Sequence, residues 1–428
     1  MVKERFCNPV FLSVFICIIL LYSKAVKVKD RNPYCSIIPK KDVVFLKGKL
    51  LSTPVKSSSG KTYSAVLLIS SVGKYTDKDN STSAFIRSEG SGKINILIPA
   101  EMVEAFYPGK LFSSAKKKGA FLWEAGGVYK VEGKFVSEQF LVSKCINAYF
   151  PSDLYGKIDF FRALCRLQFK RLMYSWGNSG GLLLALLSGS KEYTEPTVTE
   201  AFKKSGLSHI LALSGMHLSM FSGIAMFIGK KIKRKKLSFI IRTVAVILFV
   251  WFAGFSPSLL RAFICNCLLI LSSLVDNENP DMLVILCFSF LLQTVLTPQS
   301  LNNIGFILSY AALAGILIFN RLFTRIYVRF LPAYFTMSLS SSTSAQIFTA
   351  PISLKVFGCF CPIGIIATSI ISPLITFFIY SGLALIILSL IFPFISTASG
   401  FFVNIQYNVI KIIVGLFAKV KYVKASGL

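Results

Sequence analysis

The sequence predicts a polytopic α-helical membrane protein that carries one small β-barrel domain outside the cytoplasmic membrane. Three observations predict it. The 428 residues are 54% hydrophobic and 15% charged, with a mean hydropathy of +0.65, a balance far too apolar for a soluble globule. Apolar runs of about 17–25 residues recur after position 200, long enough to cross roughly 30 Å of hydrocarbon as helices. Between residues 30 and 150 there is no such run; short alternating segments sit there between turn signals. The expected division is a membrane anchor over 1–29, a β-domain over 30–150, an amphipathic helix and connector over 151–205, and a transmembrane bundle over 206–428.

The anchor comes first. Lys3, Glu4 and Arg5 precede an apolar stretch over 7–23 that no small-x-small cleavage site follows, so it reads as an uncleaved anchor with the N-terminus in the cytoplasm. Five strands are then predicted, over 42–51, 61–72, 93–99, 128–136 and 140–148. A turn at 57–60, another at 90–92 and a short helix at 99–106 fit a partly open barrel of the OB type. From Lys24 to Lys144 there are 21 basic and 10 acidic residues, making this a cationic β-domain. Residues 153–176 read as an amphipathic helix whose Arg162, Arg166, Lys170 and Arg171 touch lipid phosphates at the membrane surface.

The spans are oriented by their loops. A predicted helix over 207–228 ends at Lys230, Lys231, Lys233, Arg234, Lys235 and Lys236, a cluster that belongs in the cytoplasm. Counting forward through spans at 237–255, 257–275, 282–296 and 304–319 places Arg321, Arg325 and Arg329 on the same side, as the rule requires. Counting backward places the β-domain on the extracytoplasmic face. Further spans are expected near 331–356, 362–390 (one broken helix or two) and 405–417, for a total of seven to ten. Pro351, Pro362, Pro373 and Pro393 interrupt this last region.

Charge and chemistry narrow the function. Lys and Arg number 47 against 19 Asp and Glu, for a formal +28, an excess that favours polyanions or anionic lipid as partners. After Phe202 the only acidic residues are Asp276, Glu278 and Asp281, all in one loop. A carrier coupled to protons or sodium needs an intramembrane carboxylate, so that class is disfavoured while a conduit for an anionic substrate is not. The polar groups expected inside the bundle are His209, Ser214, His217, Ser219, Ser222, Arg242, Arg261, Asn266, Ser309 and Gln346. His209 and His217 are expected on adjoining faces of one helix, about 80° apart. Their plain reading is helix packing; Arg261, four residues after a proline, instead snorkels or faces a polar path.

Enzymatic chemistry finds little support. Ser214 lies between two histidines, but the Gly-x-Ser-Gly of rhomboid-type proteases has Ala212 at its first position here, and histidines on the same helix are poorly placed to reach the hydroxyl. No catalytic residue and no cofactor is expected. No Cys-x-x-Cys pair or Cys/His cluster has metal spacing among the ten cysteines and two histidines, so no metal is expected either. Cys35 and Cys145 bracket the β-domain. A bond between them would close a loop of about 110 residues, worth about 4–5 kcal/mol by chain entropy; two free thiols is the equal alternative.

Residues 182–224, LLLALLSGSKEYTEPTVTEAFKKSGLSHILALSGMHLSMFSGI, resemble the core of the ComEC family of competence proteins, with its Gly-Leu-x-His and Ser-Gly-x-His signature at Gly206, Leu207, His209, Ser214, Gly215 and His217. SPSLLRA at 256–262, GFILSY at 305–310, TAPISLKVFG at 349–358 and Pro373 continue the likeness. What the resemblance implies is passage of single-stranded DNA across the cytoplasmic (inner) membrane during natural transformation. It places His209, Ser214, Gly215, His217, Arg261 and Ser309 along the path. Tyr63, Phe85, Trp123 and Tyr129 are candidate platforms on which bases stack in the OB-like domain. Implied partners are single-stranded DNA, membrane lipids, a separate DNA receptor, a nuclease, an ATP-driven motor and, undecided, a second copy in a homodimer. Longer family members carry a metallo-β-lactamase-like domain whose HxHxDH-type motif is not in this sequence. Thr368 stands where the family tends to have Asn, and Ile307 where it tends to have a polar residue, which leaves open a diverged copy. Two other classes stay in view: a non-conducting membrane-anchored binder of anionic polymer or lipid, and an intramembrane hydrolase.

Overall fold

The computed structural model describes residues 13–14, 16–19, 34–57, 59–76, 84–107, 121–213, 215–231, 235–254, 256–274, 280–420 and 423–424. Strands lead the chain: β1 (Cys35–Ser36), β2 (Phe45–Leu50), β3 (Val55–Lys56), β4 (Thr62–Thr76), β5 (Ala84–Ser91) and β6 (Lys93–Pro99). A short helix α1 (Ala100–Glu104) follows, then β7 (Val128–Val136) and β8 (Gln139–Tyr149). Each of the five predicted strands is present; β1, β3 and β5 are additions. The residues around Gly90 that read as a turn are the end of β5, which pairs antiparallel with the far half of the long β4.

Strand pairing returns on itself. β2 lies between β4 and β7, β7 pairs β8, β8 pairs β6 in parallel, and β6 pairs β4. The alternation that sequence shows is what fills the inside: Leu46, Leu50, Tyr63, Leu67, Ile96, Ile98, Tyr129, Val131 and Phe140 point one way and are fully buried.

Helices make up the rest: α2 (Leu154–Ser175), α3 (Gly177–Ser188), α4 (Pro196–Lys204), α5 (Gly215–Lys231), α6 (Lys235–Ala253), α7 (Pro257–Leu274), α8 (Met282–Leu296), α9 (Ile304–Tyr327), α10 (Ala333–Phe357), α11 (Gly364–Ile391) and α12 (Ser396–Ala418). Two-residue strands β9 (Cys359–Phe360) and β10 (Val423–Lys424) pair between them. Among the described residues, three segments are long and apolar enough to cross a membrane by length and composition: Ile304–Tyr327, Gly364–Ile391 and Pro393–Ala418. Gly177–Ser188, Thr243–Ala253, Pro257–Leu269 and Met282–Leu296 are shorter apolar helices. The last predicted span begins nine residues earlier than read, at Ser396 rather than 405. Pro373 lies inside α11 without dividing it, because a proline removes one backbone donor and neighbouring helices tolerate the loss.

Two expectations are corrected here. Helix α5 begins at Gly215, and residues 207–213 form turns instead. Gly206 adopts φ +74°, the left-handed conformation that ends a helix. His209 and His217 therefore do not share a helix, and the 80° relation fails.

The second concerns α2, capped by Asp153, whose carboxylate accepts from the Gly156 amide at 3.2 Å. Its basic residues do not lie on lipid. Arg166, Lys170 and Arg171 are buried, whereas Leu154, Tyr155 and Phe161 are exposed. Acidic partners supplied from elsewhere in the chain draw the cations inward. The connector, too, is more than a connector: Leu182–Leu187 of α3 are buried at the centre of the bundle core with Phe378 of α11 and Val403 of α12. Helix α2 joins the two halves, since Leu167 packs into the sheet core and Phe169, Leu172 and Met173 pack into the bundle core.

Candidate functional site

Three separated sequence segments converge in the bundle. Gly215 opens α5 against α7: a side chain added there would start 3.3 Å from Arg261 Nη2 and 3.3 Å from Ala262 Cβ. The missing Cβ lets the guanidinium approach the α5 backbone. Arg261 Nη1 donates to the Ser309 carbonyl at 2.8 Å, and the guanidinium lies over the Tyr310 ring, 6.0 Å from its centroid. Arg261 Nε is buried with no hydrogen-bond partner among the described residues. No carboxylate approaches this cation: among the described residues of α5–α12 and their connections the single acid is Asp281, which caps α8 by accepting from the Leu283 amide at 3.0 Å.

A chain of polar side chains backs Arg261 across three helices. Tyr310 donates to Gln293 Oε1 at 3.0 Å, and Gln293 Nε2 donates to the Pro257 carbonyl at 3.2 Å. Ser289 Oγ lies 3.2 Å from the Tyr310 hydroxyl, donates to the Leu286 carbonyl at 2.8 Å and meets Cys265 Sγ at 3.3 Å. Buried polar networks of this kind fix one arrangement of their helices when their members are satisfied. Thus the SPSLLRA segment and the GFILSY segment, 48 residues apart at the Arg261–Ser309 contact, form one locus. A second close approach joins Gly206 to the start of α11, where its added Cβ would lie 3.2 Å from Gly364 Cα, with Gln346 Nε2 beside Gly364.

Of the six residues predicted along the path, Gly215, Arg261 and Ser309 come together. His217 is fully buried on α5. His209 lies in the turn before α5 with an accessible side chain. Ser214 lies outside the described residues, as do the side chains of Arg242 and Phe85. Tyr310, Gln293 and Ser289 were missed as site residues. Their legible signals were Gln293, a polar residue within the apolar run of α8, and Tyr310, the last residue of GFILSY.

The aromatic platforms require correction. Tyr63 and Tyr129 are 0% exposed and Trp123 is 2% exposed, so no base can stack on them. Trp123 and Tyr129 stack on each other instead, with centroids 4.4 Å apart. The Tyr129 hydroxyl donates to the Leu122 carbonyl at 2.6 Å and accepts from the Glu124 amide at 2.9 Å. Tyr63 donates to Glu104 at 2.7 Å, and burial above all pushes its phenol far above the ordinary range. Cys35 and Cys145 are separate thiols: Cys35 is exposed, whereas Cys145 is half-buried with Sγ 3.6 Å from the Asn147 carbonyl. Burial raises the Cys145 thiol to about 12.

Between the sheet and the bundle lies a buried charge cluster that sequence reading did not find. Glu124, just before β7, sits 3.3 Å from Arg166 Nε and 3.6 Å from Lys170 Nζ. Lys170 Nζ also lies 3.1 Å from Glu192, in the α3–α4 connection, and donates to the Tyr107 hydroxyl at 2.8 Å. Arg166 Nη1 donates to the Phe252 carbonyl at 2.6 Å, and Arg171 Nε to the Phe106 carbonyl at 3.0 Å. Burial alone would raise the Glu124 carboxyl, but Arg166, Lys170 and Arg162 outweigh it and hold the group below its ordinary value, ionised. Arg166 and Lys170 are four residues apart on one helix, a like-charge repeat that is unfavourable unless acids come from elsewhere; that was the signal available.

The competence protein family model matches residues 186–427. The chain is also 30% identical to ComE operon protein 3 of Bacillus subtilis (strain 168) over 207 residues, which cover 48% of this chain and 26% of that protein. The match thus spans about a quarter of the relative's length. No solved structure matches.

Proposed function

The chain belongs to the competence protein family, and from that premise we propose that it is a channel component that passes single-stranded DNA inward across the cytoplasmic membrane during natural transformation. In this reading the strand ring is an OB-type barrel on the extracytoplasmic side. Its pairing path, with a short helix between the third and fourth ring strands, supports that assignment. The N-terminus is cytoplasmic, and the basic residues in the C-terminal parts of α5 (Lys230, Lys231) and α9 (Arg321, Arg325), with Arg329 just beyond α9, face the same compartment. The chain is a conduit rather than an enzyme; the DNA receptor, nuclease and ATP-driven motor are other proteins.

The single observation that carries the reading is Arg261. A half-buried guanidinium held by a carbonyl, with no acidic neighbour among the described residues, keeps its positive charge uncompensated. Such a group attracts phosphate and repels cations. A mobile polyanion needs binding weak enough to leave, and one cation without a closed cage meets that need.

The test is uptake of labelled DNA into the cytoplasm of a deletion strain that carries wild type, Arg261→Lys or Arg261→Gln. Wild type restores uptake, Arg261→Lys restores part of it and Arg261→Gln little, at equal membrane abundance. Full uptake with Arg261→Gln would remove the residue from the path. Uptake unaffected by deletion would end the reading.

A further inference from the structure

Barrels of OB topology commonly bind oligonucleotides on the face of their second and third strands, which here are β4 and β6. That face is nearly uncharged. Its outward residues are Ser64, Val66 and Leu68 on β4 opposite Leu97, Asn95 and Lys93 on β6. Apart from Lys93, the cations lie elsewhere.

Register places them on the outer side of β2 and β7. Leu46 and Gly48 point inward, so Lys47 points outward, directly opposite Ser71 of β4 on one side and Lys130 of β7 on the other; Lys130 in turn faces Asn147 of β8. Arg87 of β5 extends the row by donating to Ser71 Oγ through Nε at 3.1 Å and Nη2 at 3.0 Å. Adjacent strands are about 4.8 Å apart, so Lys47 and Lys130 are like charges directly opposite each other, a pairing that destabilises a sheet. Neither lysine has a carboxylate partner among the described residues. Two acids share this face: Glu89 ends the row opposite Ser71, and Glu132, two residues along β7 from Lys130, lies between Phe45 and Lys144.

The row also leads somewhere. Lys49, two residues on along β2, meets Asp159 of α2 at 3.3 Å. One helical turn further, Arg162 has a buried Nε with no hydrogen-bond partner among the described residues, and its Nη2 would lie 3.2 Å from a Cβ placed on Gly254. Gly254 begins the turn into α7, the helix that carries Arg261.

We infer that the phosphodiester backbone of a single strand runs over β2 and β7 through Lys47 and Lys130, and passes by Arg162 to the α6–α7 turn, rather than lying on the β4–β6 face. The inference rests on the DNA-channel reading and names the surface that reading leaves open. Bases remain turned to solvent along this track, which fits the burial of Tyr63, Trp123 and Tyr129 and makes recognition independent of sequence.

Fluorescence anisotropy of a labelled oligothymidylate tests it, with the full chain in nanodiscs of neutral lipid and with two double variants, Lys47→Gln/Lys130→Gln and Asn95→Ala/Leu97→Ser. Loss of two phosphate contacts lowers the slope of log affinity against log salt by about 1.4, which at 0.1 M salt is about 25-fold in affinity. The expected result is that loss in the lysine pair and wild-type binding in the β6 pair, with both variants unfolding at the wild-type temperature. If wild type binds and the lysine pair binds equally well, the track is wrong and the channel reading stands. A loss confined to the β6 pair likewise overturns it. Lysine variants that lose affinity only for phosphatidylglycerol vesicles assign the row to lipid and overturn it too. No binding by wild type would overturn both readings.

Discussion

Replacing Lys170 by Met removes the cation on which the sheet and the bundle meet. Its ammonium serves Glu124 at 3.6 Å, Glu192 at 3.1 Å and the Tyr107 hydroxyl at 2.8 Å, with the lysine and both carboxylate side chains 2–4% exposed. Glu124 keeps Arg166, at 3.3 Å, but Glu192 loses its only ion-pair partner among the described residues. A buried charge stripped of its partner costs about 3–5 kcal/mol, while the near-equal volume of Met keeps the packing loss below about 1.5 kcal/mol. Thermal unfolding in neutral detergent, followed by tryptophan fluorescence, should fall by about 5 °C or more at pH 8. The pH dependence separates charge from packing. In wild type, the depressed Glu124 carboxyl adds stability that is full above the unfolded carboxylate range and lost as pH falls through its folded value. In the variant Glu124 loses Lys170, one of the cations that hold its carboxyl down, so this pH-dependent stability is smaller and the deficit shrinks as pH falls through the carboxylate range. A second change, Glu192→Gln, should restore most of the loss. A variant as stable as wild type at pH 8, or a deficit constant with pH and untouched by Glu192→Gln, would refute this account of the junction.

Tyr129→Phe deletes a hydroxyl bonded to the Leu122 carbonyl and the Glu124 amide, so it should cost about 1–3 kcal/mol in unfolding and leave single-strand affinity unchanged; a loss of affinity in the folded variant would return Tyr129 to the binding surface. Gly215→Leu drives a side chain into Arg261 and Ala262, each 3.3 Å from its first atom, and should impair DNA uptake as Arg261→Gln does at normal membrane abundance, whereas normal uptake would separate α5 from the site. Maleimide at pH 7.5, without reductant, should label Cys35 quickly and Cys145 slowly, because a thiol raised to about 12 holds almost no thiolate at that pH; failure to label Cys35 until reductant is added would indicate a Cys35–Cys145 bond.

Much of the fold is legible because it follows local periodicity. Five ring strands and the helices after residue 215 come from alternation and from apolar length. What sequence could not supply was the source of long-range partners. Arg166 and Lys170 look like a lipid-facing stripe until Glu124 and Glu192 arrive from 42 and 22 residues away. The aromatic platforms failed for a similar reason: an OB-like pattern marks aromatics without telling which face they take, and register places Tyr63 and Tyr129 inward. At the bundle site, Gly215, Arg261 and Ser309 were singled out from separate motifs, and their meeting is a tertiary fact. The turn at 207–213 was hidden because its residues are as apolar as the helix after it; only Gly206 hinted at a break.

Sidedness of the sheet domain bears most directly on the proposed route for an incoming strand. Lys61, exposed just before β4, can be replaced by Cys in a Cys35→Ser background and probed with a membrane-impermeant maleimide in intact spheroplasts. The proposed route predicts labelling without lysis. Labelling that appears only after the membrane is opened would place the cationic sheet in the cytoplasm and contradict it.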